Sequence, residues 1–293
     1  MDLALKVVEI TAPVFLLAGM GFLWVRLGFE YRVQFVTRLS MTLAVPALIF
    51  VALMETEIPA QSLSQISLAA TAGYALAALG AWVLVWLTGL ELRTYLAPIF
   101  MGNTGNIGLP LAFFAYGDEG LGYAVVVFAI SSIFAFTFGV WTVARTNSPL
   151  TMFKEPMVGA TLLGALFLWQ GWQTPPVVTN TLSLLGQMAI PLMLITLGVA
   201  VARLTPQNFG RSLWIALAKI SLCVCIGWGL GIWFDLPHVA FGILVLQFAA
   251  PAAVTSYLIA EKYGADAPAV AGLVVVSTLL SVITLPLLLS IVL

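Results

Sequence analysis

Two asparagines, a threonine and three glycines fall within ten residues of an apolar stretch, Met101-Gly-Asn-Thr-Gly-Asn-Ile-Gly-Leu-Pro110. They interrupt residues 94–116, a segment otherwise apolar and long enough for a bilayer-crossing helix, which needs roughly 20 residues. Helix breakers are tolerated at that depth where the backbone is buried in protein or lines a cavity. The run therefore predicts a broken helix. Such a break frees N–H and C=O groups near the bilayer midplane, where a half-helix N-terminus receives an anion and loosened carbonyls receive a cation. Asn103, Thr104 and Asn106 supply neutral donors and acceptors, and Gly102, Gly105 and Gly108 let a ligand approach the backbone. Pro110 lacks an N–H and so releases the carbonyl four residues back, that of Asn106.

A second interruption lies in Gln247-Phe-Ala-Ala-Pro251-Ala-Ala-Val-Thr255-Ser256. Small residues on both sides of Pro251, including Ala252, suit a crossing point pressed against the first, with Gln247 before the break and Thr255 after it. Ser131 and Ser132 are matched later by Ser277 and Thr278. Hydroxyls in such helices commonly bond their own backbone or a neighbouring helix, and their paired placement also fits a cation or supporting role. Lys219 is the charge set well inside an apolar segment. It either snorkels to the interface or supports the crossing from behind. No acidic side chain sits at midplane depth, which disfavours a side-chain proton relay.

The elements that carry these residues follow from composition. With 62% hydrophobic and 8% charged residues, and a mean hydropathy of +1.10, the chain is an all-α integral membrane protein. The segment Ala4 to Val25 is expected as a first span rather than a cleaved leader. Cys223 and Cys225 stand two apart on one helix, on different faces and without a metal-ligand neighbour, as structural thiols do. No cofactor is expected beyond a possible sodium ion. No paired Asp, His/Glu metal motif or nucleophile–base pair occurs at midplane depth, and the single His238 lies near a span end, which argues against an enzyme.

Apolar runs between polar or Pro/Gly breaks predict ten spans: 5–26, 33–54, 63–88, 94–116, 120–144, 156–171, 176–202, 211–234, 237–260 and 267–292. Arg26, Arg32, Arg38, Arg93, Arg145, Lys154, Arg203, Arg211 and Lys262 fall at the odd connections, nine of the eleven Lys and Arg. Lys6 stands on the other side with Glu55, Glu57, Asp118, Glu119 and Asp235. The positive-inside rule then makes the odd connections cytoplasmic and puts both termini outside, in a cell (inner) membrane.

The two halves, 1–146 and 147–293, repeat one another. Pro13 is matched by Pro156, Leu43-Ala-Val-Pro46 by Met188-Ala-Ile-Pro191, Pro110 by Pro251, and Ser131-Ser132 by Ser277-Thr278, at spacings between 141 and 146 residues. Five spans per half, an odd number, make the second half inverted. That is the plan of secondary carriers, whose site lies where two discontinuous helices meet.

The motif from Gly102 to Pro110, the following Tyr116-Gly-Asp-Glu-Gly-Leu-Gly122 and the ten-span plan resemble the auxin efflux carrier family over the whole chain. The resemblance implies a scaffold of spans 1, 2, 6 and 7, a mobile domain of spans 3–5 and 8–10, and broken helices crossing at Pro110 and Pro251. It also implies an amide that binds a substrate carboxylate, here Asn103 or Asn106, and a homodimer through the scaffold. This chain departs from the plant pattern in lacking a long loop between its halves and in having Ala249-Ala-Pro-Ala252 where a second amide is expected. The function implied is elevator-type carriage of small organic anions. The architecture is also similar to sodium–bile acid symporters, so sodium coupling through Asn103, Thr104, Ser131, Ser132 and Gln247 is an alternative, and a channel or receptor a further one. Nothing in the residues points to nucleic acid.

Overall fold

The structure is a computed structural model that describes residues 3–56, 58–144, 156–204 and 208–293. Glu57, Arg145 and Lys154 of the charge pattern, and the boundary between the halves at 146–147, lie outside the described residues. Prolines start several of the helices, because the missing N–H is one the first turn would leave unpaired anyway. Pro59 precedes α4 (Ala60–Thr88), Pro156 opens α8 (Pro156–Gln170), Pro176 opens α9 (Pro176–Gln187), and Pro237 precedes α12 (His238–Ala249). The other helices are α1 (Leu3–Arg26), α2 (Val33–Leu39), α3 (Val45–Met54), α5 (Leu92–Phe100), α6 (Leu109–Phe134) and α7 (Val140–Ala144) in the first half. The second half adds α10 (Ala189–Arg203), α11 (Phe209–Trp233), α13 (Val254–Tyr263) and α14 (Ala267–Val292). Among the described residues there is no strand beyond one isolated bridge.

Three turns widen to π-helix, at Ser40–Ala44, Thr104–Gly108 and Ala135–Gly139. The first two have one cause. Pro46 and Pro110 each follow two residues after the π turn, and a proline neither bonds the carbonyl four residues back nor leaves room for a regular turn. No proline follows the third.

Among the described residues, seven helical stretches are long and apolar enough to cross a membrane. The chain is a multi-pass, all-helical membrane protein, its outer face rich in exposed Leu, Val and Trp. Seven is fewer than the ten expected spans for physical reasons that lie in three places. Pro156–Gln170 is a short helix, and the ninth expected span is broken into α12 and α13. The fourth and fifth run together as 41 continuous residues, Thr104–Ala144. A straight helix of that length would reach about 60 Å, twice the roughly 30 Å hydrocarbon core. It does not run straight: Gly117 adopts φ 63° and ψ −148°, outside the helical region and open to glycine alone at low cost.

The packing divides between two groups. In one, α1 lies along α10, and α3 packs on α8 and α9. Backbones touch there: a Cβ at Gly198 would lie 1.7 Å from the Ala18 carbonyl oxygen, and one at Gly21 2.0 Å from that of Ile195. In the other, α11 packs on α4, α12 and α14, and α6 packs on α4 and α12. Arg93 fastens three ends of this second group. From the start of α5 its Nε donates to the Val143 carbonyl of α7 at 2.8 Å, and its guanidinium also donates to the Tyr263 carbonyl of α13. A smaller apolar cluster of Val7, Ile10, Ile107, Leu197, Val245 and Leu289 joins α1 and α10 to the broken helices.

Candidate functional site

The first interruption begins where α5 stops at Phe100. Met101 and Asn103 leave the helical conformation, and the chain resumes as the π turn that leads into α6. The second begins where α12 stops at Ala249, and α13 resumes at Val254. Gly102 and Ala252 face each other across the gap as an antiparallel bridge. The Asn103 N–H donates to the Pro251 carbonyl at 2.7 Å, and the Ala253 N–H to the Met101 carbonyl at 3.0 Å. Backbone groups released by the two breaks thus satisfy one another, as burial demands.

The bridge does not run between the two prolines. Pro251 lies in it and lends its carbonyl, for which it needs no N–H. Pro110 sits in the first turn of α6, where its fixed φ suits a helix. The residue opposite Ala252 is therefore Gly102.

Four helix ends converge on this bridge. The carbonyl ends of α5 and α12 arrive at it, and the N-terminal ends of the Thr104 π turn and of α13 leave it. Neither N-terminal end has a side-chain cap: Asn103 makes no capping bond, and Ala253 has no group to make one. Uncapped N–H groups and the helix dipole together favour a negative charge there.

The amides beside the bridge are unpartnered. Asn103 is 5% exposed and its Nδ2 has no hydrogen-bond partner among the described residues. Gln247, 1% exposed in the last turn of α12, leaves both Nε2 and Oε1 without one. Such a group costs about 1–3 kcal/mol when left unsatisfied. Gln247 presses on the other interruption, for a Cβ at Gly108 would fall 2.1 Å from its Oε1. Gly105 is closed by the Phe128 ring, 3.0 Å from its ideal Cβ.

Hydroxyls brace each broken segment. Thr104 Oγ1 and Ser131 Oγ are 2.9 Å apart, and Ser131 also donates to the Phe128 carbonyl. Ser277 Oγ accepts the Ala252 N–H at 3.0 Å. Their neighbours differ: Ser132 bonds back to its own helix at the Phe128 carbonyl, and Thr278 is buried with its hydroxyl unpartnered.

Lys219 does not snorkel. It is 1% exposed, and its Nζ donates to the Ala250 carbonyl at 2.7 Å, at the end of α12. One turn further along α11, Cys223 Sγ lies 3.8 Å from the Ile99 carbonyl near the end of α5. A single helix thus backs the carbonyl ends of both interrupted helices.

The structure brings Asn103, Thr104, Gly105, Gln247, Pro251, Ala252, Ser131, Ser277 and Lys219 around the bridge. Asn106 is half-buried beyond it, and Thr255 is exposed in the first turn of α13. Two residues were not signalled. Tyr74 of α4 is buried with its hydroxyl towards Ser131 and its ring 4.7 Å from that of Phe248. A phenol in the middle of a long apolar run is the signal that was available. Arg93 read only as a topological charge.

A cavity of about 890 Å³ lies between α3, α9 and α10 on one side and α6 on the other. Glu55, Asp118 and Glu119 share it with Phe113, Phe114 and Gln187, and it stops short of Asn103 and Gln247. A groove of about 620 Å³ on α4, α5 and α7 is lined by Trp82, Phe138 and Trp141.

Broken helices paired inside a multi-pass helical membrane protein define a protein of the transporter class. Residues 140–289 match the family of membrane transport proteins, just over half of the chain, and the chain belongs to that family, the auxin efflux carrier family. It is similar to an uncharacterized transporter of Methanothermobacter thermautotrophicus, 24% identical over 194 residues. The match spans 64% of this chain and 64% of that relative's length.

Proposed function

We propose that the protein is a secondary carrier of small organic anions, mono- or dicarboxylates, bound at the Gly102–Ala252 bridge. The observation that carries this reading is the meeting of two uncapped helix N-termini beside the unpartnered amides of Asn103 and Gln247. Together they offer a carboxylate dipoles and N–H donors that contact it directly.

The working unit in this proposal has ten spans in two inverted halves, 1–146 and 147–293. The paired contacts of α1 with α10 and α3 with α8 support a scaffold of spans 1, 2, 6 and 7, and the bend at Gly117 supports counting 104–144 as two spans. The elements around α11 form the unit that moves past the scaffold, elevator fashion. The scaffold carries a homodimer contact. Both termini face outward from a cell (inner) membrane.

The test is thermal melting of the purified protein against a panel of mono- and dicarboxylates and their neutral amides. A ligand at 100 times its Kd stabilises by about 2.7 kcal/mol, well within reach of a melting assay. Carboxylates are expected to raise the melting temperature and their amides not to, and the effect is expected to fall by about half or more in Asn103→Ala. Equal stabilisation by the neutral amides would sink the anion site.

A further inference from the structure

Carbonyls at the C-terminal ends of interrupted helices are where carriers built this way hold a coupling cation. Two such ends, those of α5 and α12, meet at the bridge, and a lysine amine is already there. Lys219 Nζ donates to the Ala250 carbonyl at 2.7 Å, one residue from the Pro251 carbonyl that takes the Asn103 N–H. The amine is 1% exposed, and no carboxylate lies within ion-pair distance of it among the described residues. A lysine this deep in a membrane protein is costly to keep without a carboxylate partner and marks a functional position by default.

We propose that Lys219 is a built-in cation. Its ammonium takes the position at the carbonyl end of α12 that a coupling sodium ion would otherwise fill, and it balances the anion bound on the N-terminal side of the same bridge. The charge stays with the protein through the cycle, so transport needs no soluble sodium. The inference rests on the organic-anion reading above and assigns its coupling. A purely mechanical role, propping the break, would need only a hydrogen-bond donor at this position. A surrogate cation needs the charge.

The experiment compares melting of the wild-type protein and Lys219→Ala in sodium chloride and in choline chloride of equal strength, with no organic anion present. The wild type is expected to melt alike in both salts. Lys219→Ala, with the Ala250 carbonyl vacated, is expected to melt higher in sodium. Sodium stabilisation of the wild type overturns the proposal, and so does indifference of Lys219→Ala. Should that variant fail to fold, Lys219→Gln keeps a donor for the carbonyl and removes only the charge. Its Kd for a carboxylate bound by the wild type is expected to rise at least tenfold at an unchanged melting temperature, and an unchanged Kd overturns the proposal. A wild type that binds no carboxylate defeats the organic-anion reading and leaves the sodium comparison to judge Lys219.

Discussion

Asn103 gives its backbone N–H to the carbonyl of Pro251 across 2.7 Å, and so holds its side chain beside the bridge with a buried Nδ2 that has no partner among the described residues. The backbone of this residue is committed to structure, and its side-chain Nδ2 is left unpartnered.

Removing that amide should therefore separate binding from folding. Asn103→Ala relieves an unsatisfied buried donor and keeps the backbone bond, so the melting temperature is expected to hold or rise slightly. Carboxylate affinity is expected to fall at least tenfold, about 1.4 kcal/mol, measured by titration calorimetry or ligand-shifted melting. A variant that unfolds and still binds tightly when refolded would reverse both parts.

Gly108→Ala tests the contact between the two interruptions. The new methyl would meet Gln247 Oε1 at 2.1 Å, and the amide must swing away because a side-chain end yields more easily than backbone. Transport is expected to fall sharply while melting drops modestly, by about 1 kcal/mol. The paired change Gly108→Ala with Gln247→Ala should recover the stability and not the transport.

Where backbone meets backbone nothing can yield. Gly198→Ala places a methyl 1.7 Å from the Ala18 carbonyl oxygen, so α1 and α10 must part. The expected loss is about 3 kcal/mol, at the upper end for overpacking, and it should appear as a lower melting temperature with or without ligand.

Arg93→Gln removes a charged donor from the ends of α7 and α13, where the helix dipoles leave partial negative charge. A loss of about 2 kcal/mol is expected from those charge-assisted bonds, together with faster amide exchange in the last turns of both helices.

Much of this architecture was legible in the sequence because a helix breaker inside an apolar segment frees backbone polar groups that lipid cannot satisfy, so protein must enclose it. The run of Gly, Asn and Pro from Gly102 to Pro110 marked the first interruption, and Pro251 among alanines marked the second. What faces what was not legible. Matching proline to proline aligned Pro110 with Pro251, whereas the bridge pairs Gly102 with Ala252, because pairing depends on where extended backbone forms and not on where the ring sits. The environment of Lys219 was equally hidden. Periodicity places a lysine on a helix, and only the tertiary packing decides whether it reaches water or a carbonyl. The number of long crossing helices differed for a related reason, since length and hydropathy count Thr104–Ala144 once and the bend at Gly117 is a single torsion.

The glycine contact between α1 and α10 has a use beyond stability. Because main chain touches main chain at Gly21 and Gly198, the spacing of these two helices has almost no slack. Spin labels placed one on each would give a narrow distance distribution that serves as an internal ruler. Against that fixed scale, a third label on α13 would turn any displacement of the bridge into a length that can be read in ångströms.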